Sequence, residues 1–336
     1  INLVDTLFNP NAIKLANNKV VGSRIQLNKT KSTFLLSGDN SLQIWDALDK
    51  RKLYDLQFEN IINPFLNDSG NSILIFESFT GKSFNEFKLN FLDLKTGIAN
   101  VTLFKDSDFD ALRSKCYNID EDTGEWLCND GSAKLWKVNA KNKTIDVLHD
   151  FSNANFYRTN IEFFKKVPNT NDALISVKSV NVAPNHEVID SKFEGFKIYN
   201  SKSKQVSEVS KISNALLVFP ISNNDILYQA GNNLQLFNSK SQTTSKIISN
   251  SKYKLLETVN HNDIAYIILE NMDNAVDSFM VHSYHVKNKK INNTFKIPYS
   301  SGFFSTDDGL HFKDSDTYST YNPKLKETAL WNNPKP

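Results

Sequence analysis

Short runs of alternating apolar and polar residues, separated by turns of Gly, Asn, Asp and Ser, fill most of the chain. In Leu42-Gln43-Ile44-Trp45 the alternation has the two-residue period of a half-buried strand. Thr33-Phe34-Leu35-Leu36 precedes it, joined through Ser37-Gly38-Asp39-Asn40, where Gly and Asn tolerate the positive φ of a tight hairpin. A polar turn and then Lys52-Leu53-Tyr54-Asp55-Leu56 follow, which predicts an outer strand. The same order recurs at Trp126-Leu127-Cys128, Asn129–Ser132 and Ala133–Trp136, and at Ile226–Gln229, Ala230–Asn233 and Leu234–Phe237. Helical periodicity is nearly absent; only Asp108–Lys115 has room for one or two helical turns.

One phrase closes each of these units: a large apolar residue, a small polar one, then a Lys-rich turn. Its anchors are Trp45, Leu92, Trp136, Tyr199, Phe237, Tyr284 and Tyr321, spaced 47, 44, 63, 38, 47 and 37 residues apart. A repeat of roughly 40–50 residues is the mark of a propeller or another repeat array. A lone meander leaves an apolar face and two sheet edges open, and closing the units into a ring covers both. The pattern predicts an all-β, seven-bladed β-propeller with about four antiparallel strands per blade. It forms one domain over residues 1–336, with units ending near 45, 92, 136, 199, 237, 284 and 321. The anchors are expected to pack between neighbouring blades. Ile1–Phe8 or Lys326–Trp331 is expected to complete the closing sheet. The fourth unit is long, and its extra residues, Ser179–Ser191, are expected to form a rim loop. Val182, Pro184 and His186 are its candidate partner contacts. Smaller excursions fall at Phe79–Phe84 and Asn271–Asp277.

At Ser37-Gly38-Asp39-Asn40-Ser41-Leu42-Gln43-Ile44-Trp45-Asp46 the chain resembles a WD40 repeat. Asn129-Asp130-Gly131-Ser132-Ala133-Lys134-Leu135-Trp136-Lys137 is the second match. The Trp-Asp pair occurs once and the family's Gly-His pair nowhere, so the resemblance is to a divergent WD40-like propeller. It implies a protein-binding frame without chemistry of its own. The units resemble more weakly the propeller of the large lumenal subunit of the ER membrane protein complex, through Leu92-Asp93-Leu94-Lys95-Thr96-Gly97.

Composition adds little to this. Hydrophobic residues make up 40% and the net charge is +2, which excludes a disordered chain and any strong field toward nucleic acid or an anionic membrane. No run of 18 apolar residues is present, so no membrane span is expected. The Lys-rich turns at Lys50-Arg51-Lys52, Lys141–Lys143, Lys202/Lys204 and Lys287/Lys289/Lys290 fall at equivalent places. They serve to solubilise turns and guard sheet edges, with an acidic partner or RNA as the alternative.

Candidate chemistry is sparse. Cys116 and Cys128 face each other across a hairpin centred near residue 122, so they are either a disulfide or a pair of buried thiols. The two close histidines, His282 and His285, would point to opposite faces of a strand and make a poor metal pair. No Gly-x-Ser-x-Gly elbow or phosphate-binding Gly loop occurs, and the acidic clusters at Asp106–Asp110, Asp120–Asp122, Asp307–Asp308 and Asp314/Asp316 read as turns. Five Asn-x-Ser/Thr sequons begin at Asn28, Asn67, Asn100, Asn142 and Asn292 and matter only in a secretory compartment. The expectation is a protein that is not an enzyme and takes no metal, cofactor or small-molecule substrate. It would be a scaffold subunit of a multi-protein complex, intracellular, in cytoplasm or nucleus before ER lumen. The alternatives are an ER-lumenal scaffold subunit of a membrane protein complex, an RNA-binding propeller in ribonucleoprotein assembly, and a propeller enzyme or gating domain.

Overall fold

The alternating segments are strands in a computed structural model. It describes residues 24–28, 32–46, 51–79, 86–105, 107–184, 187–209, 212, 215, 217–249, 251–271, 278–298, 302–306, 309–314, 317–322 and 327–331. Among these residues there is no α-helix, and 28 strands form seven four-stranded antiparallel sheets, each a meander in chain order. The first holds β1 (Arg24–Leu27), β2 (Thr33–Ser37), β3 (Ser41–Asp46) and β4 (Arg51–Gln57). The second holds β5 (Ile61–Leu66), β6 (Ser72–Ser78), β7 (Phe87–Asp93) and β8 (Ala99–Phe104). The third holds β9 (Lys115–Asp120), β10 (Glu125–Asn129), β11 (Lys134–Asn139) and β12 (Thr144–Asp150). The fourth holds β13 (Arg158–Lys166), β14 (Ala173–Val182), β15 (Val188–Asn200) and β16 (Gln205–Glu208). The fifth holds β17 (Leu217–Pro220), β18 (Asp225–Ala230), β19 (Asn233–Asn238) and β20 (Thr243–Ile248). The sixth holds β21 (Tyr253–His261), β22 (Ile264–Asn271), β23 (Ser278–His285) and β24 (Lys290–Pro298). The last holds β25 (Gly302–Thr306), β26 (Gly309–Asp314), β27 (Thr317–Asn322) and β28 (Glu327–Trp331).

Burial follows position within the sheet. β6 is buried at every residue and β10 and β18 nearly so, which is why second strands read as continuous apolar runs. Fourth strands such as β8, β12 and β20 are largely exposed and carry the Lys, Thr and Ser. Every anchor lies on a third strand: Trp45 on β3, Leu92 on β7, Trp136 on β11, Tyr199 on β15, Phe237 on β19, Tyr284 on β23 and Tyr321 on β27. The small polar residue of the recurring phrase has a clear job. Asp93, Asn139 and Asn238 end their strands, and each side-chain oxygen accepts a backbone N–H from the turn: Lys95 at 2.9 Å, Asn142 at 2.8 Å and Ser241 at 2.9 Å. The chain then passes through the left-handed region at Gly97, Lys143, Lys204, Gln242 and Lys289, with φ between 52° and 69°, and enters the fourth strand.

Two compact units divide the chain, Ile1–Phe164 with Ile175–Glu194 and Ser201–Lys204, and Lys165–Leu174 with Gly195–Asn200 and Gln205–Pro336. In the first unit, Leu35, Leu42 and Ile44 of one sheet pack on Ile62, Ile73, Ile75 and Leu92 of the next. Leu74, Phe76, Phe87, Leu89 and Phe91 likewise meet Trp126, Cys128, Trp136 and Val138. Amide side chains bridge the same sheets. Gln26 Nε2 donates to the Pro64 carbonyl at 2.7 Å while its Oε1 accepts the Leu66 N–H at 3.2 Å. Gly70, at φ 75°, passes so close to Asn28 that a Cβ there would stand 2.3 Å from its Nδ2, so only glycine fits. In the second unit, Tyr266, Ile268, Phe279 and Val281 pack on Leu310, Phe312 and Tyr321. Gln229 repeats the clamp there, its Oε1 accepting the Leu255 N–H at 2.7 Å and its Nε2 reaching the Tyr253 carbonyl at 3.4 Å.

Three expectations change. Most of Ser179–Ser191 is strand: β14 runs to Val182 and β15 starts at Val188, because Val180, Val182, Val188 and Ile189 are β-formers, so the connection shrinks to residues 183–187. Asp108–Lys115 makes no helix; the Asp110 carboxylate accepts the Leu112 and Arg113 N–H groups and holds a single turn. Trp45 is half-buried where the other six anchors are buried, and the β3–β4 register shifts between Ile44 and Trp45. Ile1–Phe8, Lys326, residues 80–84 and residues 272–277 lie outside the described residues, as does His186; Glu327–Trp331 is the fourth strand of its own sheet.

Candidate functional site

The fourth sheet departs from the other six in length. β14 has 10 residues and β15 has 13, while β16 has four and pairs only with Lys197–Asn200. Strand-forming residues thus continue past the point where the fourth strand of the sheet can cover them. Within the first unit the β14–β15 hairpin carries Val188 at 60% exposure, Ile189 at 70% and Phe193 on its surface. Tyr157, 73% exposed, stands at the start of β13, and its N–H donates to Asn181 Oδ1 at 2.8 Å. Val182 is half-buried and Pro184 exposed beside the tip, which the Ala183 N–H closes onto the Glu187 carbonyl at 2.8 Å. The base of the hairpin is fastened by Thr159 Oγ1 and Ser179 Oγ at 2.9 Å and by Asn153 donating to Glu194 Oε1 at 2.8 Å. Lys192, 2.9 Å from Glu194, leads the hydrogen bonds that hold that carboxyl below its ordinary range. The arrangement is an arm with an apolar surface: large side chains left partly in water, which water does not favour.

The other candidates resolve into structural parts. Lys52 lies 2.6 Å from Asp55, Lys287 2.6 Å from Asp263 and Lys289 3.4 Å from Asp225, while Lys141 donates to the Asp122 carbonyl. Lys52, Lys287 and Lys289 thus each meet a carboxylate, whereas Lys141 meets a neutral backbone carbonyl. Asp120 accepts the N–H groups of Asp122 and Thr123, and the bond from Thr123 holds its carboxyl below the usual range. Asp130 binds Ser132 through both N–H and Oγ. His282 pairs with Thr294 Oγ1 at 2.7 Å, and burial pulls its pKa down; His285 accepts the Asn288 N–H in its turn. Among the described residues no group of three or more His, Cys, Asp or Glu could hold a metal. No helix among them is long and apolar enough to cross a membrane.

Cys116 on β9 stands directly opposite Cys128 on β10, with Cα atoms 4.2 Å apart, and the two form a disulfide. Its β10 end is fully buried beside Phe76, Phe87 and Trp136. Sequence reasoning missed Phe109, which leaves the β8–β9 connection and inserts between two sheets. Its ring centroid lies 5.1 Å from Phe76, 5.9 Å from Phe87 and 5.5 Å from Trp136. It also missed Asn63, whose Nδ2 reaches the carbonyls of Ala111 at 3.1 Å and Ser114 at 2.9 Å and so pins that connection. A lone Phe in a polar stretch, and an Asn inside a strand, were the available signals.

No family model matches the chain, and no curated protein matches it in sequence. Solved structures do. A prolyl endopeptidase structure aligns over 93% of this chain and 49% of its own, with TM-score 0.64 and 9% identity. The WD40 domain of SCAP from fission yeast aligns over 93% and 86%, with TM-score 0.57 and 11% identity. The tricorn protease aligns over 94% and 34%, with TM-score 0.58 and 9% identity. The chain thus spans about a third of the tricorn protease chain and about half of the prolyl endopeptidase chain. What these likenesses show is the fold: all-β, a divergent WD40-like β-propeller fold. They also overturn the expectation that the chain is not an enzyme. Peptidases share this fold with it, so the fold is no argument against catalysis. The inference failed because an absent local motif speaks only to chemistry written in contiguous residues. A propeller brings distant strands and turns together.

Proposed function

We propose that this chain is a protein–protein interaction module, one propeller domain over residues 1–336, serving as a subunit of a multi-protein assembly. The observation that carries the reading is the β14–β15 arm, with Val188, Ile189, Phe193 and Tyr157 on its surface. Apolar side chains held on a stiff hairpin lose little entropy on binding and gain by leaving water. Proteins of related fold, such as the WD40 domain of SCAP, make the reading natural for this architecture. The test is affinity purification of the protein from its native cell beside a Val188→Ser/Ile189→Ser variant. Both positions are exposed, so the variant should keep its stability within about 0.5 kcal/mol. A stoichiometric partner retained by the natural chain and lost by the variant is expected. An identical set of co-purifying proteins in both, or none in either, would sink the idea.

A second reading rests on the likeness to the prolyl endopeptidase and the tricorn protease. Here the propeller stands beside a hydrolytic domain and controls access to it. Labelling of the native protein by a serine-reactive fluorophosphonate probe, abolished by heat denaturation, would favour this reading over the first.

A further inference from the structure

We infer that Asn100, Asn142 and Asn292 carry N-linked glycans, and that the chain folds in an oxidising compartment equipped to attach them. Two independent features meet in this assignment. The first is the disulfide, which uses both cysteines of the chain. Structural disulfides persist in secretory and extracellular environments and are rare where glutathione keeps thiols reduced. Forming this one removes two electrons and two protons from the Cys116 and Cys128 thiols, which a thiol–disulfide oxidant of such a compartment accepts.

The second feature is how the fold sorts the five sequons. Asn28 and Asn67 are buried and built into turns. Asn28 Oδ1 accepts the Thr33 N–H at 3.0 Å while its Nδ2 donates to Ser32 Oγ at 3.0 Å. Asn67 Oδ1 accepts the N–H groups of Asn71 at 2.9 Å and Ser72 at 3.0 Å, and its Nδ2 donates to Ser69 and Asn71. A sugar on either nitrogen would displace those bonds, so a chain so modified could not close these turns. The other three asparagines are exposed. Asn100 lies on β8 opposite Phe91, and Asn142 in the β11–β12 turn. Asn292 is the extra residue of the bulge where β24 crosses from Ile291, paired with Tyr284, to Asn293, paired with Ser283. All three have Thr two residues on, at Thr102, Thr144 and Thr294, and no Pro between. Each sits on the fourth strand of its sheet or on the turn leading into it, where a hydrated polymer also shields an open strand edge from pairing with another chain.

The chemistry balances without a cofactor from this protein. The asparagine Nδ2 bonds to C1 of the sugar of a lipid-linked oligosaccharide diphosphate. The C1–O bond breaks, the diphosphate leaves with the electron pair, and the amide gives up a proton.

The experiment uses protein isolated from its native cell with thiols blocked at lysis. Peptide mapping follows, with and without release of N-glycans by an amidase in heavy-oxygen water. Conversion of Asn100, Asn142 and Asn292 to labelled Asp is expected, with Asn28 and Asn67 unmodified and Cys116 and Cys128 recovered as one linked peptide. Unmodified asparagine at all three positions overturns the proposal, whatever the cysteines show, and so do free Cys116 and Cys128. Glycan found on Asn28 or Asn67 of folded protein would refute the sorting argument. An Asn100→Gln/Asn142→Gln/Asn292→Gln variant should lose the whole mobility shift that glycan release produces in the natural chain. A shift that survives in this variant counts against the assignment.

Discussion

Replacing Trp136 by Ala measures what an anchor contributes between two sheets. The ring is 4% exposed and packs among Leu74, Phe76, Phe87 and Phe109, with Lys134 Nζ 5.4 Å from its centroid. A tryptophan buries up to about 250 Å², which at about 25 cal/mol per Å² sets an upper bound near 6 kcal/mol. Measured aromatic-to-Ala losses run at about 3–5 kcal/mol because the cavity partly relaxes. One term acts the other way. Trp136 Nε1 is buried without a hydrogen-bond partner, a burden of about 1–3 kcal/mol that the substitution removes. The expected net loss is therefore about 2 kcal/mol. With a urea m-value of about 3 kcal/mol/M, that is a midpoint shift of about 0.7 M by far-UV circular dichroism. Trp136→Phe keeps most of the packing and deletes the orphan N–H, so it should stay within about 1.5 kcal/mol of the natural chain. Trp45→Ala should cost less than Trp136→Ala, since that ring is half-buried. A Trp136→Ala loss below about 1 kcal/mol, the range of surface changes, would refute the anchor role. Both variants lack the N–H, so a Trp136→Phe variant as unstable as Trp136→Ala would refute the packing role given to the ring.

Three further outcomes follow from named contacts. Asn63→Ala leaves the Ser114 carbonyl without its side-chain donor and should cost about 1–3 kcal/mol; hydrogen exchange should locate the loss of protection around Phe109, and protection unchanged there would count against the clamp. Lys204 sits at φ 57° where the equivalent turn of the second sheet uses Gly97. Lys204→Gly should therefore stabilise by up to about 1 kcal/mol, the relief of left-handed strain exceeding the added freedom of the unfolded chain; a thermal melt shifted downward would contradict this. Acid and alkali should act through different groups. Asp120, Asp150 and Glu194 have folded pKa values below their unfolded ones, so their stabilisation is present above the unfolded values and drains away as pH falls through the folded ones. The lowered pKa of His282 adds a loss beginning as pH drops below about 6.5, which His282→Gln should remove. Burial pushes the Tyr266 and Tyr284 phenols up to about 12, so their contribution holds below the ordinary value of 10.0 and fades as pH climbs toward 12. Ultraviolet titration should show these two unionised in the folded protein at a pH where exposed tyrosines have already ionised; ionisation together with the rest would oppose the burial argument.

The sequence by itself determined the β class and the placement of most strands; in the third sheet, however, Val138 rather than Trp136 holds the ladder position of Leu92, Phe237, Tyr284 and Tyr321. Alternation with period two and turn chemistry act within a few residues, so Asp93, Asn139 and Asn238 announce their turns wherever the chain goes. Local pattern also set Cys116 opposite Cys128, because hairpin register is a matter of counting. Tertiary structure decided the rest. Only packing reveals that Phe109 closes a gap between sheets and that Gln26, Asn63 and Gln229 bridge segments far apart in sequence. Only packing sorts Asn100, Asn142 and Asn292, which face water, from Asn28 and Asn67, which are locked in turns. The arm was misplaced as a loop because its length was visible while its ladder was not: whether Val182 and Val188 pair depends on the neighbouring strand, and a pattern of apolar residues does not say which partner covers it.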